Sequence, residues 1–414
     1  MSLRQWKRWD AVERVAAGRL TMREAAQMLT LSVRQVRRLR RRVEARGREG
    51  VLHGNRGRPA GNRLPAALRA RIVALRRQKY AGFNDRHFVE KLAAEQPAIH
   101  VTVATARRLL RAAGIAAVRR RRPRQHRRRR ERKAQAGLML LWDGSRHDWL
   151  EGRGPYLTLV GAIDDATGVV LPGAHFVAQE SAAAYLRVLR TIVATHGVPW
   201  SIYMDQHSAL KRNDDCWTFA EELRGRQEPT HVGYALEALA ITPLYALSPQ
   251  AKGRVERLWG TLQDRLTSEL RLAGAGTPAA ANTVLAHYLP AHNRRFAVTP
   301  ANTQPAWRRC PRGTDLDRVC SFRYEATVLR DNTVRLARLV IDIPPGPRRR
   351  SYADQRVEVR QLLDGSWRVY AGDTVLTTHA PTTTGELRAL RHRRKGDGSF
   401  AHVPAHARYE EVRE

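Results

Sequence analysis

Three segments of this chain each place an acidic residue at the end of an apolar strand or in the first turn of a helix. This feature constrains the possible folds more than any other. The first runs from Leu138 to Asp143 and the second from Ser201 to Asp205. A short apolar run closed by an acid is typical of a central strand, whose last side chain reaches the carboxyl edge of an α/β sheet. A third segment opens a helix whose first full turn carries Glu256. The pattern therefore predicts an α/β core in which three carboxylates converge.

Converging carboxylates supply the oxygen ligands that hard divalent cations prefer. Two Mg²⁺ or Mn²⁺ ions in one active site suit in-line displacement at a phosphodiester, because one activates the nucleophile and the other stabilises the leaving oxygen. Asp143, Asp205 and Glu256 are thus predicted to be both catalytic residues and metal ligands. Lys252 lies four residues before Glu256, on the same helical face, and either contacts a DNA phosphate or forms an ordinary ion pair with Glu256.

Other acids near these segments receive different roles. Asp148 lies beyond the first apolar run and is expected in the following turn. Asp164 and Asp165 fit a hairpin turn, because Asp favours turns. Any single acid could equally be a solvated surface carboxylate, and this alternative is weakened because three acids occupy matching ends of apolar elements.

The positive charge of the chain is concentrated at one end. The net charge is +35, and residues 1–136 contain 38 Lys and Arg against 9 Asp and Glu. This distribution predicts double-stranded DNA as the partner. A membrane surface fits less well, because the basic segments lack an aromatic-rich apolar face.

No apolar run reaches the roughly 18 residues of a membrane span, and no signal peptide is recognisable. We therefore expect a cytoplasmic, nucleoid-associated protein whose three cysteines are ordinary reduced thiols.

Residues 1–48 are predicted to form a helix-turn-helix domain. Thr21 with Glu24, and Ser32 with Gln35, fit two capping boxes eleven residues apart, and such boxes mark the starts of helices. The second helix would enter the major groove, where Arg and Gln read base edges. Its predicted DNA contacts are Arg34, Gln35, Arg37 and Arg38. The alternative is a basic surface helix in a small bundle.

Two further basic segments and one helical module follow. Residues 49–64 form a linker in which Arg56 and Arg58 resemble the core of an AT-hook, although a simple basic tether fits as well. Residues 65–118 are predicted to form a second helical or helix-turn-helix module for DNA binding, with Arg107 and Arg108 facing phosphates. A purely structural bundle is the alternative.

Residues 119–136 form an arginine-rich linker. Ten Arg and one Lys occur between Arg119 and Lys133, so this segment should be disordered alone and should fold onto a polyanion. The residues predicted to contact DNA there are Arg127, Arg128, Arg129 and Arg130.

The remaining chain changes composition. Residues 137–309 predict an α/β core in the order three-strand meander, helix, strand, helix, strand, helix, with the third strand at Val169–Leu171. This is a ribonuclease H-like arrangement. Fifty residues separate Asp205 from Glu256, which indicates a surface insertion within residues 206–234. Residues 310–380 alternate apolar and polar residues and predict a small β-barrel. Residues 381–414 are expected to be a tail.

Three motifs carry a resemblance to a known family. They are Trp142-Asp143-Gly144-Ser145 with His147-Asp148-Trp149, then Ile163-Asp164-Asp165-Ala166-Thr167-Gly168, and Ser248-Pro249-Gln250-Ala251-Lys252-Gly253-Arg254-Val255-Glu256-Arg257. Together with the domain order, they resemble bacterial insertion-sequence transposases of the DDE class, which have a retroviral integrase-type core, and in particular the ISNCY type.

This resemblance implies an enzyme that binds terminal inverted repeats, cuts DNA 3′ ends and joins them to a target. It also implies a homodimer or a higher homo-oligomer on DNA. The spacing between Asp205 and Glu256 is longer than is usual for integrase-like cores. Two alternatives are a catalytically inactive, sequence-specific DNA-binding protein and a ribonuclease H-like nuclease without strand transfer.

Overall fold

The computed structural model describes residues 2–53, 63–119, 130–212, 216–246, 253–389, 392–393 and 409–411. The chain divides into two compact units, residues 1–71 and 72–414. None of the helices within the described ranges has an apolar stretch long enough to cross a membrane.

The first unit is built on three short helices. They are α1 (Leu3–Ala16), α2 (Met22–Leu29) and α3 (Val33–Arg46), and a 3₁₀ turn follows at Gly47–Val51. Both predicted capping boxes are present, at Thr21 with Glu24 and at Ser32 with Gln35. The helices bury aliphatic side chains such as Val36 and Leu39 against one another, so the opposite, arginine-rich face of α3 is exposed.

Three more helices precede the sheet. They are α4 (Ala66–Gln78), α5 (Asp85–Ala93) and α6 (Val103–Ala112). Polar contacts attach α5 to a long helix of the core, α10 (Gly253–Leu272). Glu90 pairs with Arg265 at 2.7 Å, and both His87 and Lys91 contact Glu269 at 2.7 Å. The second helical segment is therefore fixed to the core and is not a loose appendage.

The core is a five-stranded mixed sheet in the order β3-β2-β1-β4-β6. Its strands are β1 (Leu140–His147), β2 (Leu157–Asp164), β3 (His175–Val177), β4 (Ser201–Met204) and β6 (Thr242–Tyr245). β1 to β3 run antiparallel, whereas β1, β4 and β6 run parallel. The helices around it are α7 (Ala182–His196), α9 (His231–Ala238), α10 and α11 (Pro278–Phe296). The predicted α/β core and its element order are confirmed.

Alternating side chains of β1 supply two different cores. Leu140 and Trp142 pack with α7 and α9 on one face, whereas Leu141 packs with Trp259 and Leu262 of α10 on the other. Because successive side chains of a strand point to opposite faces, Asp143 falls on the α10 face.

The third strand differs from the prediction at Val169–Leu171. Val170 makes only an isolated bridge to Ile163, and the regular third strand begins at His175. Backbone bonds to β2 are nevertheless present beside this bridge, because Asp164 N donates to Val169 O at 3.0 Å and Leu171 N donates to Ala162 O at 2.8 Å. On the other side of Val170, the Asn293 side chain accepts a hydrogen bond from Val170 N and donates one to Val170 O, each at 2.9 Å.

The insertion after Asp205 is only partly a surface loop. It contains β5 (Cys216–Trp217) and α8 (Phe219–Arg224). Glu221 is fully buried and pairs with Arg212, which is almost as deeply buried. Leu210 belongs to the same core as α7. The expectation that the insertion lies wholly on the surface is therefore wrong.

The C-terminal region forms open sheets and not the predicted β-barrel. One four-stranded sheet has the order β12-β11-β10-β7, and separate two-stranded sheets join β8 to β9, β13 to β15 and β14 to β5. The strands are β7 (Phe322–Thr327), β8 (Thr333–Leu336), β9 (Leu339–Asp342), β10 (Arg356–Gln361), β11 (Trp367–Ala371), β12 (Thr374–His379), β13 (Leu387–Ala389), β14 (His392–Arg393) and β15 (Tyr409–Glu411), preceded by helix α12 (Leu316–Val319).

The described apolar side chains of this β region pack in a cluster that they share with the α/β core. Phe322, Tyr324 and Trp367 are buried in the same cluster as the side chains of α7 and α9. A polar contact joins the two parts as well, because Arg323 N donates to His231 Nδ1 of α9 at 3.1 Å. Edge strand β7 of the four-stranded sheet is thus attached to the α/β core.

Candidate active site

Asp143 lies inside strand β1 and not at its end. The strand continues to His147, because residues 144–147 remain paired with Val160 to Leu157 of β2. The prediction that the strand ends at Asp143 is therefore wrong. The parallel partner on the other side is shorter, and its last pair with β1 joins Leu141 to Tyr203. Asp143 is consequently the first residue on the α10 face of β1 beyond the end of the parallel pairing.

The register of β1 and β4 brings the first two predicted acids together. Leu141 is opposite Tyr203, so residues two further along each strand, Asp143 and Asp205, are level. They also share a face, because the side-chain period of a strand is two. Asp205 follows the last residue of β4 directly and accepts a hydrogen bond from His207 N at 3.1 Å. The register thus places both carboxylates at the carboxyl edge of the parallel strands.

Helix α10 faces this pair of carboxylates. Trp259 is 6% exposed, and its Nε1 donates to Asp143 Oδ2 at 2.9 Å. Glu256 is exposed in the first turn of the same helix, three residues before Trp259. Residues three apart share a helical face, so the third predicted acid lies one turn from the residue that binds the first.

A fourth carboxylate, Glu180, lies beside the two aspartates and was missed from the sequence. It accepts a hydrogen bond from the Tyr185 hydroxyl. A Cβ on Gly144 would lie 2.5 Å from Glu180 Oε2, so glycine at that position admits the carboxylate. Burial raises the pKa of Glu180, and the negative charges of Asp205 and Asp143 act in the same direction. Glu180 precedes the N-cap of α7 in a loop, and no sequence pattern marks it.

The donor set at this edge suits a hard cation. Its members are carboxylate oxygens, which Mg²⁺ and Mn²⁺ prefer, and the repulsion between neighbouring carboxylates is relieved by a positive ion. Within the residues that the structure describes, no three acidic, His or Cys side chains form a complete coordination group. Lys252 and the rest of residues 247–252, which precede Glu256, lie outside the described residues.

The competing acids have other partners. Asp148 accepts a hydrogen bond from Gly152 N at 3.1 Å and shapes the turn after β1. Asp164 is buried, and it accepts hydrogen bonds from Gly137 N at 2.8 Å and from Thr167 N at 2.9 Å. Both therefore have structural roles, in agreement with the sequence.

Asp165 is more than a turn residue. Its carboxylate is completely buried, pairs with Arg130 at 2.6 Å and also pairs with Arg254 of α10. Lys133 N donates to the same carboxylate at 2.8 Å. Burial would raise the pKa of Asp165, but these donors outweigh it and lower the pKa.

The predicted DNA contacts of the first unit share one exposed face. Arg34, Gln35, Arg37 and Arg38 are all exposed on α3. Gln35 has a second function that the sequence also indicated, because its Oε1 accepts a hydrogen bond from Ser32 N at 2.9 Å. The side-chain carbonyl is thus occupied by helix capping, which leaves the amide N–H group as its donor.

The remaining predicted DNA contacts are distributed differently. Arg107 and Arg108 are exposed on α6, although Arg107 is partly held by Asp85 at 3.2 Å. Arg130 is about half exposed and pairs with Asp165. The others lie outside the described residues, namely Arg56, Arg58, Arg127, Arg128 and Arg129.

Comparison with known proteins places the first unit in a described family. Residues 8–70 match the family model for a winged helix-turn-helix. The predicted N-terminal helix-turn-helix is thereby confirmed, and the match extends past residue 48, where the sequence predicted the domain to end.

Two curated relatives match a larger part of the chain. The transposase-type protein y4bF of Sinorhizobium fredii (strain NGR234) is 38% identical over 308 residues, which are 74% of this chain and 65% of y4bF. The transposase for insertion sequence IS1202 of Streptococcus pneumoniae is 31% identical over an alignment of 340 positions, which covers 71% of this chain and 69% of that protein. This chain thus spans just under two thirds of the length of the first relative.

Two solved viral structures were also found. One is a simian T-cell lymphotropic virus intasome in complex with a PP2A regulatory subunit, at 15% identity and a TM-score of 0.32, covering 74% of this chain and 95% of that one. The other is the HTLV-2 integrase catalytic core with magnesium, at 15% identity and a TM-score of 0.26, covering 36% and 85%. Both TM-scores are too low to establish a common fold. The identity to the IS1202 transposase, of which this chain covers more than two thirds, is sufficient, and the chain belongs to the insertion-sequence transposases.

Proposed function

We propose that this protein is a DDE transposase with a ribonuclease H-like core, which cuts the ends of a mobile DNA element and joins them to target DNA. One observation supports this most strongly: the register of β1 and β4 sets Asp143 level with Asp205, and Trp259 of the Glu256 helix bonds to Asp143. Under this proposal, Glu256, one helical turn before Trp259, joins the two aspartates in a single site at the sheet edge.

Asp143, Asp205 and Glu256 would hold two Mg²⁺ or Mn²⁺ ions. When bound, such ions activate an attacking hydroxyl group and stabilise the leaving oxygen at a phosphodiester. Trp259 would hold the Asp143 carboxylate in one orientation. Glu180 adds negative charge beside the pair, which further favours a cation at this edge.

The DNA contacts would come from the exposed face of α3, the arginine-rich linker and α6. Many neutralised phosphates make binding steeply dependent on salt. The winged helix-turn-helix domain would recognise terminal inverted repeats. Two ends must be brought together for transposition, so a homodimer or a higher homo-oligomer on DNA is expected.

The test begins with the DNA that flanks the gene, where terminal inverted repeats should be found by sequencing. Labelled duplexes that carry such an end are then incubated with the protein and Mg²⁺ or Mn²⁺. Asp143→Asn, Asp205→Asn and Glu256→Gln should each lower cleavage by at least about a hundredfold, since each removes a charge that stabilises the transition state, while binding to the duplex is retained. Mn²⁺ binding, measured by electron paramagnetic resonance, should weaken in parallel.

Asp148→Asn is the matched control, because this acid only shapes a turn, and it should cleave like the parent. Retained cleavage in Asp143→Asn would refute the assignment of the first carboxylate. Cleavage without joining to a target plasmid would favour the simple nuclease. Binding without cleavage in the parent would favour an inactive DNA-binding protein.

A further inference from the structure

Asp165 is the centre of an arginine cluster that joins two parts of the chain with different predicted tasks. Arg130 and Arg254 both reach Asp165 Oδ1, and Arg254 also donates to the backbone carbonyl of Arg130. Arg132 donates to the backbone oxygen of Asp165 at 2.9 Å. Residues 130–133, the last part of the arginine-rich linker, are thereby fastened to the first turn of α10.

The cluster depends on its single buried carboxylate. Asp165 is fully buried, whereas Arg254 is 15% exposed and Arg130 is 45% exposed. The neighbouring guanidinium groups repel one another, and a buried charge pair is lost when either partner is removed. Without Asp165, nothing else described in this cluster would hold Arg254 against the linker except the carbonyl of Arg130.

The position of Arg254 in the chain gives the cluster its relevance to the active site. Arg254 and Glu256 are two residues apart in one helical turn, so their side chains leave α10 on nearly opposite sides. One side of the turn is therefore fastened to the linker while the other carries the predicted catalytic acid. Asp165 N also donates to Met139 O at 3.0 Å, just before β1, so the same residue is anchored to the strand that carries Asp143.

We propose that Asp165 is a positioning residue. It binds both the arginine-rich linker, which contacts DNA in the proposed function, and the first turn of α10. This common anchor fixes the position of Glu256 relative to bound DNA. This inference rests on the proposed function. It assigns Asp165 no contact with DNA or metal. Its consequence is that breaking the anchor separates DNA binding from cleavage: the duplex is still held, but the third carboxylate is no longer set against the scissile phosphate.

The test uses the full-length protein with Asp165→Asn and Arg254→Gln. Each should lower single-turnover cleavage of an end duplex at least about fivefold relative to the Asp148→Asn control, with the duplex Kd changed less than about threefold. The cleavage rate of the double variant should lie within about twofold of the rate of the slower single variant, because both changes break the same link. Arg254→Lys should be more active than Arg254→Gln, since a lysine can still pair with Asp165 but lacks the two separate nitrogens with which Arg254 binds Asp165 and the Arg130 carbonyl.

Hydrogen exchange of the full-length protein provides a readout that does not depend on catalysis. Duplex DNA should slow exchange of residues 253–259 in the parent but not in Asp165→Asn, and helix α7 should exchange alike in both. An exchange increase throughout Asp165→Asn would indicate a merely structural residue and overturn the proposal. If Asp165→Asn does not fold, Arg254→Gln, on the less buried partner, tests the same link.

The two proposals fail in different ways. A parent that shows no metal-dependent cleavage contradicts the proposed function, and the exchange experiment then still tests the anchor. A parent that cleaves, together with Asp165→Asn and Arg254→Gln variants that cleave within about fivefold of the Asp148→Asn control, overturns the anchor alone.

Discussion

Replacing Trp259 with Phe removes one hydrogen-bond donor from the candidate active site while keeping an aromatic ring in the core. The indole Nε1 donates to Asp143 Oδ2 at 2.9 Å, and the side chain is 6% exposed. A hydrogen bond to a charged group contributes about 1.5–3 kcal/mol. If the bond persists in the transition state, its loss corresponds to roughly 10- to 150-fold in rate. We therefore expect Trp259→Phe to lower metal-dependent cleavage at least tenfold.

Trp149 offers a matched control in the same apolar cluster. It is fully buried, and its Nε1 donates to the backbone oxygen of Ser145 at 3.0 Å, which is a neutral acceptor. Trp149→Phe removes an equivalent donor and similar volume, so it should reduce thermal stability at least as much as Trp259→Phe. Cleavage should nevertheless stay within about threefold of the parent, because a neutral bond of about 0.5–1.5 kcal/mol outside the site is lost.

The assay is single-turnover cleavage at a temperature where both variants are folded by circular dichroism. Equal losses of cleavage in the two variants would show that the effect is one of core packing. Full activity in Trp259→Phe would show that the orientation of Asp143 does not depend on α10, and the grouping of the Glu256 helix with the aspartate pair would then lose its main support.

Two further perturbations test other parts of the molecule. Gln35→Glu keeps the side-chain acceptor for Ser32 N but removes the amide donor, so it should alter sequence preference in a DNA-binding competition without loss of helix content. Gln35→Ala also removes the capping-box bond to Ser32 N, so it should in addition destabilise the first unit by about 1 kcal/mol in thermal melts. Burial, with a smaller contribution from Arg265, lowers the pKa of His292 to about 4 from 6.5. The unfolded chain then binds a proton that the folded chain excludes, so stability should fall as pH decreases from about 6.5 towards about 4; if His292→Gln leaves that pH profile of melting temperatures unchanged, this explanation is wrong.

Local signals in the sequence determined the helices and the order of the core. Thr21 with Glu24 and Ser32 with Gln35 form the predicted capping boxes, because such boxes depend only on residues three apart. The apolar runs before Asp143 and Asp205 predicted central strands whose acids lie at the carboxyl edge of the sheet, and the register of β1 and β4 places both acids at one edge. The apolar period of a strand and the capping residues of a helix are local properties, so both could be predicted from this sequence alone.

The errors arose where distant residues decide the outcome. β1 continues past Asp143 because β2 supplies partners for polar residues, which a search for apolar runs does not register. The third strand pairs regularly with β2 only from His175, after the single bridge at Val170, and no local pattern marks this break. Glu180 and Asp165 look like ordinary loop acids until the fold brings Gly144 to one and Arg254 to the other. Contacts of this kind join residues far apart in the chain and carry no short motif.

The apolar cluster that the β region shares with the core limits how such proteins can be recombined. Phe322 and Trp367 are buried with the side chains of α7 and α9, and α9 follows the insertion that separates Asp205 from Glu256. If the segment after residue 310 were exchanged between relatives, the β region would be separated from the side chains of α7 and α9 against which it packs. The β region and the long spacing are therefore expected to be inherited together, as one unit of evolution, even though they lie far apart in the sequence.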